Sequence, residues 1–185
     1  MTKKTVRYQK PKIKAKKIKQ SFFLTNRRFF DSLDALLVPQ VFASGPGHCF
    51  LPGTKILMGD HSYKEIQDVK VGETVITYDL KTKSYTEEKV TKLFVHPFTG
   101  TGYLFINNLL KATGNHPLWI NNRSSWQPAK ALKVGDTLLD KDGNTVKINS
   151  IKQSNGIHTV YNLETEGINH NYFAENLLVH NKSIP

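Results

Sequence analysis

From residue 49 onward the chain is a succession of short runs of β-branched and aromatic residues, each closed by a turn pair. Lys55–Met58 is apolar and ends at Gly59-Asp60, a hairpin signal. Thr74–Tyr78 reads Thr-Val-Ile-Thr-Tyr, a composition that suits a pleated surface. Tyr85–Val95 predicts a longer strand. Tyr103–Ile106 and Leu109–Thr113 flank Asn107-Asn108, a second turn. Thr145–Ile151 follows Asp142-Gly143, and His158–Leu163, Asn171–Ala174 and Leu177–His180 complete the pattern. No long stretch in this region has the 3.6-residue period of a helix. Short strands and frequent turns predict an all-β domain. Ahead of it, Phe22, Phe23, Leu24, Phe29, Phe30, Leu33, Leu36 and Leu37 approximate one helical face, so a short helix is expected within 21–43. Ser44-Gly45-Pro46-Gly47 then reads as a linker.

The β region carries an internal repeat. Asp68-Val69-Lys70-Val71-Gly72-Glu73-Thr74-Val75 resembles Lys130-Ala131-Leu132-Lys133-Val134-Gly135-Asp136-Thr137-Leu138, and each unit leads into a strand. Two copies of about 60 residues are too few for a solenoid. They predict a pseudo-two-fold fold of two related halves, which can bring the start and the end of the domain to one place.

Charge separates the ends. Of 26 Lys/Arg and 15 Asp/Glu, residues 1–48 hold eleven and two, leaving fifteen against thirteen for 49–185. The net +11 therefore belongs mostly to the first segment. Three readings compete there. The Lys-rich run is a solvated, partly disordered tail; or residues 3–28 bind nucleic acid or an anionic surface weakly and without sequence preference; or residues 21–43 act as a secretion signal, with Val41 and Ala43 fitting a cleavage pattern before Ser44. Asp31, Asp34 and Pro39 interrupt the apolar stretch and count against the last reading. The alternative to secretion is a cytoplasmic protein. The chain of 185 residues, 38% hydrophobic, is long enough for one domain with a core, and a monomer is expected. One cysteine allows no internal disulfide and no thiolate zinc site, and the seven histidines are scattered, so no metal or cofactor is expected.

Three elements carry chemistry. Cys49 stands where linker becomes domain; its thiolate could attack the carbonyl of His48 and turn the peptide bond into a thioester. Alone, it would read as a buried small hydrophobe. Thr113-Gly114-Asn115-His116 follows a strand; a His can protonate the departing amide nitrogen, and a hydroxyl, an amide or a backbone N–H can hold the oxyanion. His180-Asn181 ends the domain, and an Asn amide can attack its own carbonyl, close a succinimide and cut the bond that follows. Each element alone has an ordinary structural reading. Their order, with Cys49 opening the domain and Asn181 closing it, favours a protein that acts on its own backbone.

The segment 49–181 resembles a hedgehog/intein (Hint) domain, specifically a minimal intein or bacterial intein-like domain. The resemblance rests on Cys49-Phe50-Leu51-Pro52-Gly53-Thr54-Lys55-Ile56, Thr113-Gly114-Asn115-His116-Pro117, Val160-Tyr161-Asn162-Leu163-Glu164 and Asn171-Tyr172-Phe173-Ala174-Glu175-Asn176-Leu177-Leu178-Val179-His180-Asn181. Residues 1–48 and 182–185 lie outside it. The resemblance implies a horseshoe-like all-β fold with internal pseudo-symmetry. It implies that Cys49 forms an N-terminal thioester with Thr113, Asn115 and His116 assisting, and that His180 assists cyclisation of Asn181. The chain's own flanking segments would then be the substrate.

Two departures qualify this. Inteins that splice have Cys, Ser or Thr after the terminal Asn; Lys182 stands there, so cleavage after His48 and before Lys182 is expected in place of standard splicing. Many inteins have Asp at the position of Asn162, and a neutral Asn puts the rate and pH dependence of the Cys49 step in question. His170 is a second candidate for that role, or simply a turn residue. Two alternatives stand beside autocatalytic processing: a processing module of a secreted or toxin-type protein, and an inactive Hint scaffold with a polyanion-binding tail.

Overall fold

Every strand pairing is antiparallel in the computed structural model, which describes residues 47–98 and 102–181. The expected helix within 21–43, the basic run 3–28 and Lys182–Pro185 lie outside the described residues. In chain order the strands are β1 (Lys55–Leu57), β2 (Tyr63–Glu65), β3 (Thr74–Asp79), β4 (Ser84–Phe98), β5 (Tyr103–Ile106), β6 (Leu110–Thr113), β7 (Pro117–Ile120), β8 (Ser125–Pro128), β9 (Thr137–Leu139), β10 (Thr145–Lys147), β11 (Ile151–Ser154), β12 (His158–Thr165), β13 (Asn171–Ala174) and β14 (Leu177–His180). One sheet runs β10-β9-β7-β14-β13-β1-β2, with β8 on β7. A second is β11-β5-β6 and a third β12-β4-β3.

Turn chemistry fixes the hairpins. Asn107 and Asn108 both have φ of 52°, the left-handed pair that joins β5 to β6 with the right twist. Glu175 and Asn176, at 49° and 64°, join β13 to β14 in the same way. The single strand expected over Thr145–Ile151 is two strands. Its break follows from Asn107, whose Oδ1 accepts from the N–H of Asn149 at 2.7 Å and whose Nδ2 donates to the carbonyl of Lys147 at 2.8 Å. Those backbone groups leave the ladder, and Ile148 turns fully into the core. The β7–β8 hairpin had no clear sequence signal, because Pro117 and Pro128 interrupt it. They face each other at the open end of the pair, beyond which Trp119 packs edge-on against Trp126 at 5.5 Å.

The repeat is structural. The 3₁₀ turn Ile66–Asp68 recurs as Ala129–Ala131, 63 residues on. Gly72 and Gly135 follow with φ of 90° and 98°, a conformation that glycine alone adopts without strain. Glu73 caps the N–H of Lys70 at 2.9 Å, and Asp136 caps that of Lys133 at 2.8 Å. Asp136 is buried, and Arg123 grips both of its oxygens at 2.7 Å. Each half then feeds one strand into the core, β3 or β9.

The centre of the fold is β13, all four residues of which are buried. It pairs with β14 and β1, and Asn171 ties it to β3 by exchanging two 2.8 Å hydrogen bonds with the backbone of Tyr78. The entering segment is laid between two sheet edges: Phe50 exchanges hydrogen bonds with Tyr161 at 2.7 and 2.8 Å, Leu51 donates to Lys111, and Thr113 donates to the Cys49 carbonyl at 2.9 Å. The first residues of the domain are thereby fixed against β12 and β6.

Candidate active site

Cys49 is fully buried at the end of that segment. Its N–H, the nitrogen that would leave in an acyl shift, donates to Thr113 Oγ1 at 3.0 Å. The Thr113 hydroxyl also reaches the carbonyl of Gly47 at 3.4 Å. On the other side of the bond, Asn162 Nδ2 donates to the His48 carbonyl at 2.5 Å. The orientation of that amide is fixed, because its Oδ1 accepts from the Tyr172 hydroxyl at 2.7 Å and from the N–H of Leu163 at 2.8 Å. Asn162 and Tyr172 are both fully buried. Burial and the neighbouring Cys49 hold the Tyr172 hydroxyl well above its usual pKa, so it stays a donor. The carbonyl ahead of Cys49 thus has a preset N–H where an oxyanion would form. The neutral Asn, which lacks the charge of the Asp in the resemblance, has a donor in its place.

His116 is fully buried on the turn between β6 and β7, its ring tilted against Phe50 at 3.9 Å. The ring faces the backbone of both His48 and His180, and neither approach closes to a full hydrogen bond. Burial, then the nearby His48 and His180, keep its pKa well below the ordinary imidazole value. A buried imidazole held by no full hydrogen bond carries a desolvation cost that a phenyl ring at the same place would avoid. Proton transfer is a reason for an imidazole to stand there.

The exit of the domain adjoins the same histidine. β14 lies between β13 and β7, and the Asn181 N–H continues the ladder onto the His170 carbonyl at 2.9 Å. His180 Nδ1 sits 2.8 Å from the Asn181 carbonyl oxygen. Its ring packs edge-on against Trp126 at 4.9 Å and stacks at 6.3 Å on His170. Burial lowers the His180 pKa, against the opposing pull of the Asn181 carbonyl, and His170 lowers it further. A neutral His180 with its proton on Nδ1 polarises the Asn181 carbonyl. Asn181 itself is fully buried, and its Nδ2 donates to Thr165 Oγ1 at 3.2 Å.

Cys49, Thr113, His116 and Asn162 therefore surround the first bond, and His116, His180 and Asn181 lie at the second. The two remaining candidates are more peripheral. Asn115 is exposed on its turn, and the His48 carbonyl takes its amide donor from Asn162. His170 is exposed, has φ of 51° and lies against His180, at the Asn181 end of the site. Tyr172 and Thr165 escaped the sequence reading. A Tyr in a fully buried strand needs a partner for its hydroxyl, which was the available signal for the first.

The pretoxin Hint domain model matches residues 56–183. The chain belongs to this family. A bacterial intein-like domain from Clostridium thermocellum, solved in solution, is 30% identical, with a TM-score of 0.65 over 72% of this chain and 98% of that one. A DnaB intein from Synechocystis is 20% identical, with a TM-score of 0.63 over 75% of this chain and all of the other. The gp41-1 intein is also 20% identical, with a TM-score of 0.59 over 74% of this chain and all of the other. The last two bear on the fold alone. Comparison with curated protein sequences gave no match. The all-β architecture is thus the Hint fold, and the two-fold repeat described above is internal to this Hint domain.

Proposed function

We propose that the Hint domain, residues 49–181, cleaves its own backbone at two bonds. In the first step Cys49 Sγ attacks the His48 carbonyl carbon. Asn162 Nδ2–H holds the oxyanion. The neutral His116 takes the thiol proton and returns it to the departing Cys49 nitrogen, so the shift from amide to thioester is proton-neutral. An external thiol then releases residues 1–48. In the second step Asn181 Nδ2 attacks the Asn181 carbonyl carbon, polarised by His180 Nδ1–H, and the bond to Lys182 breaks. The products are a C-terminal succinimide and a new amine on Lys182. Orientation of the reacting groups can lower such barriers by about 7–11 kcal/mol. Lys182 supplies no hydroxyl or thiol to receive the first segment, so cleavage is the outcome and joining is not.

The observation that carries the reading is the donor from Asn162 on the carbonyl that precedes the domain's cysteine. The substrate is the chain's own flanks, and the domain works as a monomer. The family's description, pretoxin, is compatible with service as a processing module in a toxin-type protein. Intact mass of the purified chain, with and without added thiol, tests the proposal. Thiol is expected to release residues 1–48 from the wild type and not from Cys49→Ala, and residues 182–185 are expected to be lost from the wild type and not from Asn181→Ala. A chain that stays whole under all conditions leaves an inactive scaffold, for which the basic tail and salt-dependent duplex binding would be the remaining function.

A further inference from the structure

The Asn181 amide cannot attack as it stands. Its nitrogen must lose a proton as the new bond forms, and His180 Nδ1, which meets its carbonyl as a donor, does not accept it. Thr165 does: Asn181 Nδ2 donates to Thr165 Oγ1 at 3.2 Å, and Thr165 Oγ1 donates to Glu88 Oε2 at 2.8 Å. All three residues are buried, Glu88 with 7% of its surface exposed. The chain amide–hydroxyl–carboxylate runs from the reacting nitrogen to a carboxylate inside the fold. We propose that Thr165 and Glu88 form a relay that takes the proton from Asn181 Nδ2 in the cyclisation step.

Three local features hold the relay in place. The β12–β4 pairing shifts register between Glu164 and Thr165, so Glu164 faces Lys92 while Thr165 faces Val90. Such a bulge re-aims a side chain next to a site. On β4, Glu88 lies two residues from the buried Val90 and so shares its inward face. Its second oxygen accepts from Asn169 Nδ2 at 3.1 Å. Gly167 closes the far side, where a Cβ would come within 2.0 Å of Glu88 Oε1. Each carboxylate oxygen is therefore satisfied by one hydrogen bond, with Oε2 committed to Thr165.

The Nδ2 lone pair forms the bond to the Asn181 carbonyl carbon while one Nδ2 proton passes to Thr165 Oγ1 and the Thr165 proton passes to Glu88 Oε2. Collapse breaks the bond to Lys182, whose nitrogen takes a proton from water, and Glu88 returns its proton to water. Thr165 touches the reacting nitrogen; Glu88 acts through it, positions the hydroxyl and accepts the proton at the end of the relay.

The inference rests on the proposal that Asn181 cyclises. It is tested by following loss of residues 182–185 from the full chain by intact mass for wild type, Asn181→Ala, Glu88→Gln, Thr165→Val and Thr165→Ser, with thiol-dependent release of residues 1–48 measured on the same samples. Gln keeps the shape and an oxygen that accepts from Thr165, but it takes up no proton. Glu88→Gln and Thr165→Val are expected to slow the C-terminal cut by about 10²–10⁴-fold, the range of general-base catalysis, while the N-terminal release is unchanged. Thr165→Ser is expected to restore it. Glu88→Gln cutting at the wild-type rate, with Asn181→Ala still blocked, overturns the relay and leaves cyclisation standing. A wild type that never loses residues 182–185 overturns both.

Discussion

Replacing Asn162 with Ala removes the N–H that meets the His48 carbonyl, and the structure sets how large the effect should be. Loss of an oxyanion donor slows acyl transfer by about 10²–10³-fold. At 2.5 Å the hydrogen bond is already made to the neutral carbonyl, so part of its energy is common to ground and transition states and does not affect the rate. What counts is the strengthening as the oxygen becomes charged, which roughly doubles a hydrogen bond. The lower end, about 10²-fold or 2.7 kcal/mol, is therefore expected. The same change strips the Tyr172 hydroxyl and the Leu163 N–H of their acceptor, at a further cost of about 1–3 kcal/mol in stability for each. The rate is read as release of residues 1–48 in a fixed thiol concentration, in an Asn181→Ala background so that the second cut is silent. A urea curve on a Cys49→Ala parent checks that the variant is folded. Tyr172→Phe keeps the donor and removes one of the two groups that orient it, so its effect is smaller. Release from Asn162→Ala within about threefold of the parent rate would refute the oxyanion role.

Other expectations follow from the same structure. His116 and His180 both have folded-state pKa values below their unfolded value of 6.5, so the unfolded chain binds more protons below that pH. Their contribution to stability is full above about pH 6.5 and is lost as pH falls toward the folded values; urea midpoints of Cys49→Ala/Asn181→Ala should drop between neutral and mildly acid pH, and the drop should shrink on adding His116→Leu. Gly72→Ala and Gly135→Ala place a Cβ on backbones with φ of 90° and 98°, and each should cost about 1–2 kcal/mol by urea denaturation. Equal losses are expected because the two turns are copies; a loss at one site alone would break the pseudo-symmetry argument.

The strands that the sequence revealed are those with an uninterrupted β-branched or aromatic run and a turn pair on each side. β3, β5, β13 and β14 fall within a residue of their expected bounds. β7 and β8 were hidden by Pro117 and Pro128, which only the paired geometry places harmlessly at one end. The break between β10 and β11 was hidden too, because the cause is a side chain, Asn107, 42 residues from the Asn149 N–H that it takes. The site divides in the same way. Cys49 and Asn181 were legible because their chemistry is written at the domain ends. Asn162 was legible only as a missing charge; its contact with His48 spans 114 residues, and its sense as a donor depends on Tyr172 and Leu163. Glu88 and Thr165 carried no local signal, since a Glu in a strand and a Thr in a strand are ordinary until a bulge turns one toward the other.

The central claim is that the bond between His48 and Cys49 becomes a thioester. Hydroxylamine at neutral pH captures thioesters and leaves amides intact. Peptide mapping of the treated chain should find a hydroxamate on the carbonyl of His48, with Cys49 as a new N-terminus, in the Asn181→Ala background and not in Cys49→Ala. Finding residues 1–48 still joined to Cys49 by an unmodified peptide bond, in a chain shown to be folded, would contradict the account.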